Sequence, residues 1–183
     1  MTPFMDLTEK TQESHVLYEG KIIRVRKDTA LLPNGNQAPR EVVEHPGGVG
    51  IVPLDSDGCV LMVRQFRYPL GKTLLEIPAG KMEPGEDPQV CAERELSEEA
   101  GASAGKLTYL GYAYVSPGFC DEAIHLYLAE DLTFGQTHPD EDEFLLPERI
   151  PLDQLVSMAL DGTLIDGKSV IGVLKTALLR KGV

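Results

Sequence analysis

Between Gly80 and Ala102 the chain reads GKMEPGEDPQVCAERELSEEAGA, and its three closest carboxylates, Glu95, Glu98 and Glu99, are the residues whose spacing could do chemistry. At the angular step of an α-helix they fall within an arc of roughly 100°, beside an apolar stripe of Ala92, Leu96 and Ala100. Like charges one turn apart cost a few tenths of a kcal/mol on an open helix. At about 4 Å and an effective dielectric of about 20 the cost is about 4 kcal/mol per pair. Such a face is either a solvated acidic surface or, in a cleft, the seat of a cation. All-oxygen donors select a hard ion, Mg²⁺ or in its place Mn²⁺, over zinc; Cys91 is near on the helical wheel but is a soft ligand. Mg²⁺ keeps several waters and recruits substrate phosphates, so the second reading points to phosphoryl chemistry.

The elements that must position these acids can be read from local signals. Asp87 followed by Pro88 is a helix start and Gly101 a stop, which predicts one helix over Pro88–Ala100. From His15 to Ile77, short β-branched or apolar runs (KIIRVRKDTALL, REVVEH, GVGIVPL, CVLMVRQF) alternate with turn chemistry (PNGN, DSDG), which predicts antiparallel strands. Strand patterns return in KLTYLGYAYV, AIHLYLAED and EFLLPERI, and LDQLVSMAL and SVIGVLKTALL predict two closing helices. The expected class is α+β.

The spacing from Gly80 through Glu86 to RELSEEAGA places Gly80, Glu86, Arg94, Glu95, Leu96, Glu98, Glu99 and Gly101 where the Nudix box has its fixed residues. The chain thus resembles the Nudix hydrolases, departing only at Ala102, where the family has a larger aliphatic residue. The resemblance implies a Nudix-like α/β/α sandwich with a mixed sheet over residues 46–183. An N-terminal antiparallel β region over 1–45 would precede it, exchanged in a homodimer. It implies Glu95, Glu98, Glu99 and the Ala79 carbonyl as metal ligands, with Glu98 and Glu99 taking part in catalysis. Glu76, Gly80, Glu86 and Arg94 would support the site, Arg94 by orienting carboxylates. VRQFRYP, LLEIPAGKME and SPGFCDE, with Pro117 fifteen residues past the box, resemble the ADP-ribose pyrophosphatase branch. That branch implies Mg²⁺-assisted hydrolysis of ADP-ribose to AMP and ribose 5-phosphate. Arg67 would contact the phosphates, Arg40 would reach across the dimer, Phe119 would stack on the base or ribose, and Glu122 would approach the metal or the ribose hydroxyls. The base would come from PDEDEF, Glu141 ahead of Glu143. The alternatives are another nucleoside diphosphate derivative (a nucleotide sugar, a dinucleotide or an oxidised nucleotide) and a sensor that binds ADP-ribose without cutting it.

Composition narrows the remaining classes. With 183 residues and 42% apolar content the chain can bury a core without staples. A net charge of -12, from 17 Lys and Arg against 29 Asp and Glu, gives no footprint for nucleic acid. Cys59, Cys91 and Cys120 are too scattered for a disulfide frame or zinc knuckle. MTPFMDLTEKTQESH lacks a basic stretch followed by an apolar run, and no apolar run is long enough to span a membrane, so the expected location is cytoplasmic with no membrane partner. No serine or cysteine nucleophile has a paired histidine in sequence context, which leaves water as the expected attacking group.

Overall fold

The computed structural model describes residues 6–138 and 143–182, and the chain divides into two compact units. The first comprises Met1–Pro46 and Ser116–Glu122. Its sheet has the order β1-β2-β3, with β1 over Lys10–Glu19, β2 over Arg24–Leu31 and β3 over Gln37–Glu44, all antiparallel. β1 begins five residues before the His15 at which the sequence pattern starts, because KTQESHVLYE has no apolar alternation and is exposed along its whole length. Its strand conformation comes from pairing with β2. The segment 116–122 is stitched to the end of β3: Val43 N–H donates to the Phe119 carbonyl at 2.7 Å and Asp121 N–H to the Val43 carbonyl at 3.1 Å.

The second unit, Gly47–Val115 with Ala123–Val183, holds the box. Its larger sheet runs β7-β4-β9-β8, with β4 over Gly48–Pro53, β7 over Ala79–Lys81, β8 over Ala102–Tyr114 and β9 over Ala123–Phe134. β4 and β9 are parallel and the other pairs antiparallel, so the sheet is mixed. A smaller antiparallel sheet orders β10 (Leu145–Pro151), β5 (Cys59–Arg67) and β6 (Lys72–Glu76). Among the described residues three α-helices complete the unit: α1 over Pro88–Ala100, α2 over Leu152–Asp161 and α3 over Gly167–Arg180.

Strand alternation divides the core in two. Val49, Ile51, Tyr127 and Ala129 point to one face of the large sheet and pack with Cys91, Ala92 and Leu96 of α1. Val52, Leu126 and Leu128 point to the other and pack with Val173 and Ala177 of α3 and Leu155 of α2. The result is the α/β/α layering expected. Among the described residues no helix is long and apolar enough to cross a membrane.

Candidate active site

Local chemistry fixes the phase of α1. The Asp87 carboxylate accepts from Gln89 N–H at 2.8 Å, Pro88 opens the first turn, and Gly101 closes the helix at φ 58, a left-handed conformation that glycine adopts without penalty. With Cys91, Ala92 and Leu96 buried against the sheet, Glu95 and Glu99 are drawn in beside them at 7% and 4% exposure, while Glu98 stays near the surface.

One arginine serves three of the acids. Arg94 donates to Glu86 through Nε at 3.1 Å and Nη2 at 3.2 Å, and through Nη1 to Glu95 at 2.6 Å and Glu98 at 3.0 Å. Its Nη2 also donates to the Lys81 carbonyl at 3.3 Å, which ties α1 to β7. These bonds, with the Glu83 backbone N–H, hold the Glu86 carboxyl down at about 2.

Glu99 has no such cation. Its Oε2 accepts the Ala79 backbone N–H at 2.9 Å. Burial pushes its carboxyl up to about 8; that hydrogen bond opposes the shift, and the charges of Glu143 and Glu95 add to it. Burial also raises Glu95, against the pull of Arg94 and with Glu98 and Glu143 acting in the same sense as burial. Gly80 is required by close approach, since a Cβ there would fall on the Glu95 carboxylate.

Behind this face lies a second polar cluster. Glu76, at the end of β6 and 1% exposed, receives Arg67 Nε at 2.7 Å and Nη2 at 2.6 Å, and is also paired with Lys168. Burial penalises the Glu76 carboxylate, but the two cations outweigh it and its pKa is lowered. Asp166 caps α3 and pairs with Lys168 at 3.1 Å, and the Ser169 hydroxyl accepts Ile77 N–H at 2.8 Å. Arg67 also lies within the electrostatic reach of Glu99. Lys168 and Ser169 gave no signal, because each reaches a residue 92 positions away, Glu76 at the end of β6 and Ile77 just after it.

Ala79, Gly80, Glu86, Arg94, Glu95, Glu98, Glu99, Glu76, Arg67 and Glu143 therefore fall in the second unit, and Arg40, Phe119 and Glu122 in the first. Arg40 forks onto Glu9 at 2.6 and 2.8 Å, Phe119 is exposed, and Glu122 stands 3.4 Å from His45. Glu141 lies outside the described residues. His125, on β9, bonds through Nδ1 to the Tyr109 hydroxyl at 3.0 Å, a contact within the sheet.

The donor chemistry fits a hard cation: two buried carboxyls with raised pKa, a third beside them and a fourth charge from Glu143, all oxygen. Among the described residues no three acidic, histidine or cysteine side chains are gathered as a ligand set, and Arg94 holds Glu95 and Glu98 in ion pairs.

Comparison with known proteins agrees with this geometry. Residues 44–170 match the NUDIX domain model, and residues 9–43 match that of the nucleoside diphosphate sugar hydrolase N-terminal domain. The chain is 40% identical over 169 residues to an ADP-ribose pyrophosphatase of Bacillus subtilis (strain 168), 91% of each chain. It is 40% identical over 167 residues to a methanol dehydrogenase activator of Bacillus methanolicus, 90% of each. A crystal structure of an ADP compounds hydrolase superposes with a TM-score of 0.84 at 23% identity, over 96% of this chain and 95% of that one, a likeness of fold. With residues 44–170 matching the family model and the acids of its box on a capped helix against a mixed sheet, the chain belongs to the Nudix family.

Proposed function

We propose that this protein hydrolyses the diphosphate of ADP-ribose to AMP and ribose 5-phosphate with a divalent cation. The observation that carries the reading is the pair of buried acids on α1, Glu95 and Glu99, with Arg67 in electrostatic reach. The 40% identity to an ADP-ribose pyrophosphatase supports the choice of substrate.

Glu95, Glu98, Glu99 and the Ala79 carbonyl would hold the cation, Mg²⁺ or Mn²⁺ in its place. Bound there, the cation would neutralise diphosphate charge and acidify a water. Glu99 must give up its proton to serve as a ligand, and its Ala79 hydrogen bond favours the ionised form. Arg94 stays forked on Glu86 and so remains in place when Glu95 and Glu98 turn away from it. Arg67 meets the phosphates, and a glutamate of the PDEDEF segment, Glu141 ahead of Glu143, takes the proton of the attacking water. Phe119 stacks on the base or ribose, and Glu122 approaches the metal or the ribose hydroxyls.

The N-terminal strands of residues 1–45 exchange between two copies around the 46–183 domain, so that Arg40 reaches the partner's site in a homodimer. The protein works in the cytoplasm and takes neither nucleic acid nor membrane as partner. A second reading, a different nucleoside diphosphate sugar as substrate, is favoured by the family model matched at residues 9–43.

The test is to incubate the protein with ADP-ribose and Mg²⁺, with ADP-glucose and 8-oxo-dGTP alongside and a chelated control. Metal-dependent AMP release, highest kcat/KM for ADP-ribose, is the expected result. Preference for another diphosphate sugar selects the second reading, and turnover insensitive to chelation overturns the cation. Light scattering that finds a stable monomer removes Arg40 from the site.

A further inference from the structure

Glu76 is a carboxylate with two cations. It is 1% exposed and paired with both Arg67 and Lys168, whose side chains are 37% and 11% exposed. Had Arg67 been its only partner, Arg67 could turn to a phosphate only by leaving a buried charge uncompensated, which is strongly unfavourable. Lys168 removes that barrier. It sits deeper than Arg67, is fixed by Asp166 at 3.1 Å, and stands on the first turn of a helix whose Ser169 is bonded to Ile77, the residue after Glu76. The inner cation is thus built into the scaffold, and the outer one lies within electrostatic reach of Glu99 on α1.

We infer that Lys168 is a positioning residue for diphosphate recognition: it remains on Glu76 as counter-charge and so releases Arg67 to bind the anionic substrate. This rests on the reading of the site as a nucleoside diphosphate hydrolase. Lys168 itself, only 11% exposed and held between two carboxylates, does not touch substrate. With Lys168 neutral, Glu76 would hold Arg67 alone, and the substrate would have to compete with a buried carboxylate for the same guanidinium.

The experiment compares KM and kcat for wild type, Lys168→Met, Lys168→Arg and the charge-balanced pair Glu76→Gln with Lys168→Met, using whichever diphosphate the wild type cleaves best. Calorimetric binding of its non-hydrolysable methylene analogue gives a second readout. K168M should raise KM and weaken analogue binding by about tenfold, or about 1.4 kcal/mol, with kcat within about threefold. K168R should restore binding, and so should the double variant, in which Glu76 no longer holds Arg67 by charge. If K168M does not fold, Lys168→Gln, whose amide keeps one hydrogen bond to Glu76, takes its place with the same expectations. A folded K168M or K168Q with wild-type KM overturns the inference, and so does a KM that the double variant leaves raised, since Lys168 would then act on substrate directly. Failure of the wild type to cleave any diphosphate strikes the proposed function itself, so the two failures are separable.

Discussion

Without a divalent cation, the protein should lose stability as pH rises from 6 to 8, and Glu99→Gln should abolish most of that loss. The Glu99 carboxyl, 4% exposed, is raised from 4.5 to about 8. Between those values the folded state holds a proton that the unfolded state has released. Stability therefore falls with rising pH across that window, is unaffected by this group below it, and levels off above about 8. With 1.36 kcal/mol per pKa unit, the full span amounts to about 5 kcal/mol, and the part lost between pH 6 and pH 8 to about 2 kcal/mol. Glu95 is raised as well, so its contribution has the same sign above its unfolded value.

Other shifted groups act elsewhere on the pH axis. Glu86, Glu76, Glu44 and Asp55 are lowered, so their contributions are complete above their unfolded values and are lost only in acid. Cys91 and Tyr127 are both raised to about 12, from 9.0 and 10.0, and come into play only in alkali. Urea unfolding at pH 6, 7 and 8 in chelator reads the slope. Excess Mg²⁺ should flatten or reverse it, because the cation binds the ionised carboxylates, and calorimetry in two buffers should then register a released proton near neutral pH. A chelated protein equally stable at pH 6 and pH 8, or an E99Q variant with the wild-type slope, would refute the argument that burial keeps Glu99 protonated.

Three further outcomes follow from local geometry. Gly80→Ala places a methyl on the Glu95 carboxylate, the far end of a flexible side chain, so the fold should survive while cation affinity, read by titration, drops about tenfold. Ser169→Ala strips a buried N–H at Ile77 of its acceptor and should destabilise by about 1–3 kcal/mol in thermal unfolding, an effect absent if another group satisfies that donor. Asp87→Ala removes the N-cap of α1 and should cost about 1 kcal/mol by urea titration, with cation affinity reduced only to the extent that the first turn frays.

What was legible in the sequence was what is encoded locally. The start at Asp87–Pro88 and the stop at Gly101 gave the bounds of α1, and its period gave the shared face of Glu95 and Glu99. β4 was legible because a run such as GVGIVP, buried throughout, leaves little alternative to an inner strand. The first half of β1 and the start of β8 were not. KTQES is polar and exposed, and ASAG after Gly101 has no strand-forming residues, so each is extended only because a neighbour supplies its hydrogen bonds. The same limit applies to the site. Glu76 was marked as support from its position before the metal loop, but its second cation arrives from the start of α3 and has no local trace.

The crowding of acids over Gly80–Ala102 is resolved in two physically distinct ways. Glu86, Glu95 and Glu98 share a single guanidinium, and Glu99 avoids its charge by retaining a proton. Neither solution costs the fold a permanent partner for Glu95 or Glu99. Arg94 keeps its two bonds to Glu86 when it gives up the others, and the Ala79 N–H stabilises Glu99 once it ionises. A purely structural acidic face would have been stabilised by exposure to water or by a dedicated cation for each carboxylate. Here two carboxylates are buried where ionisation is unfavourable and held by groups that can release them, which is what the proposed cation site requires of its ligands.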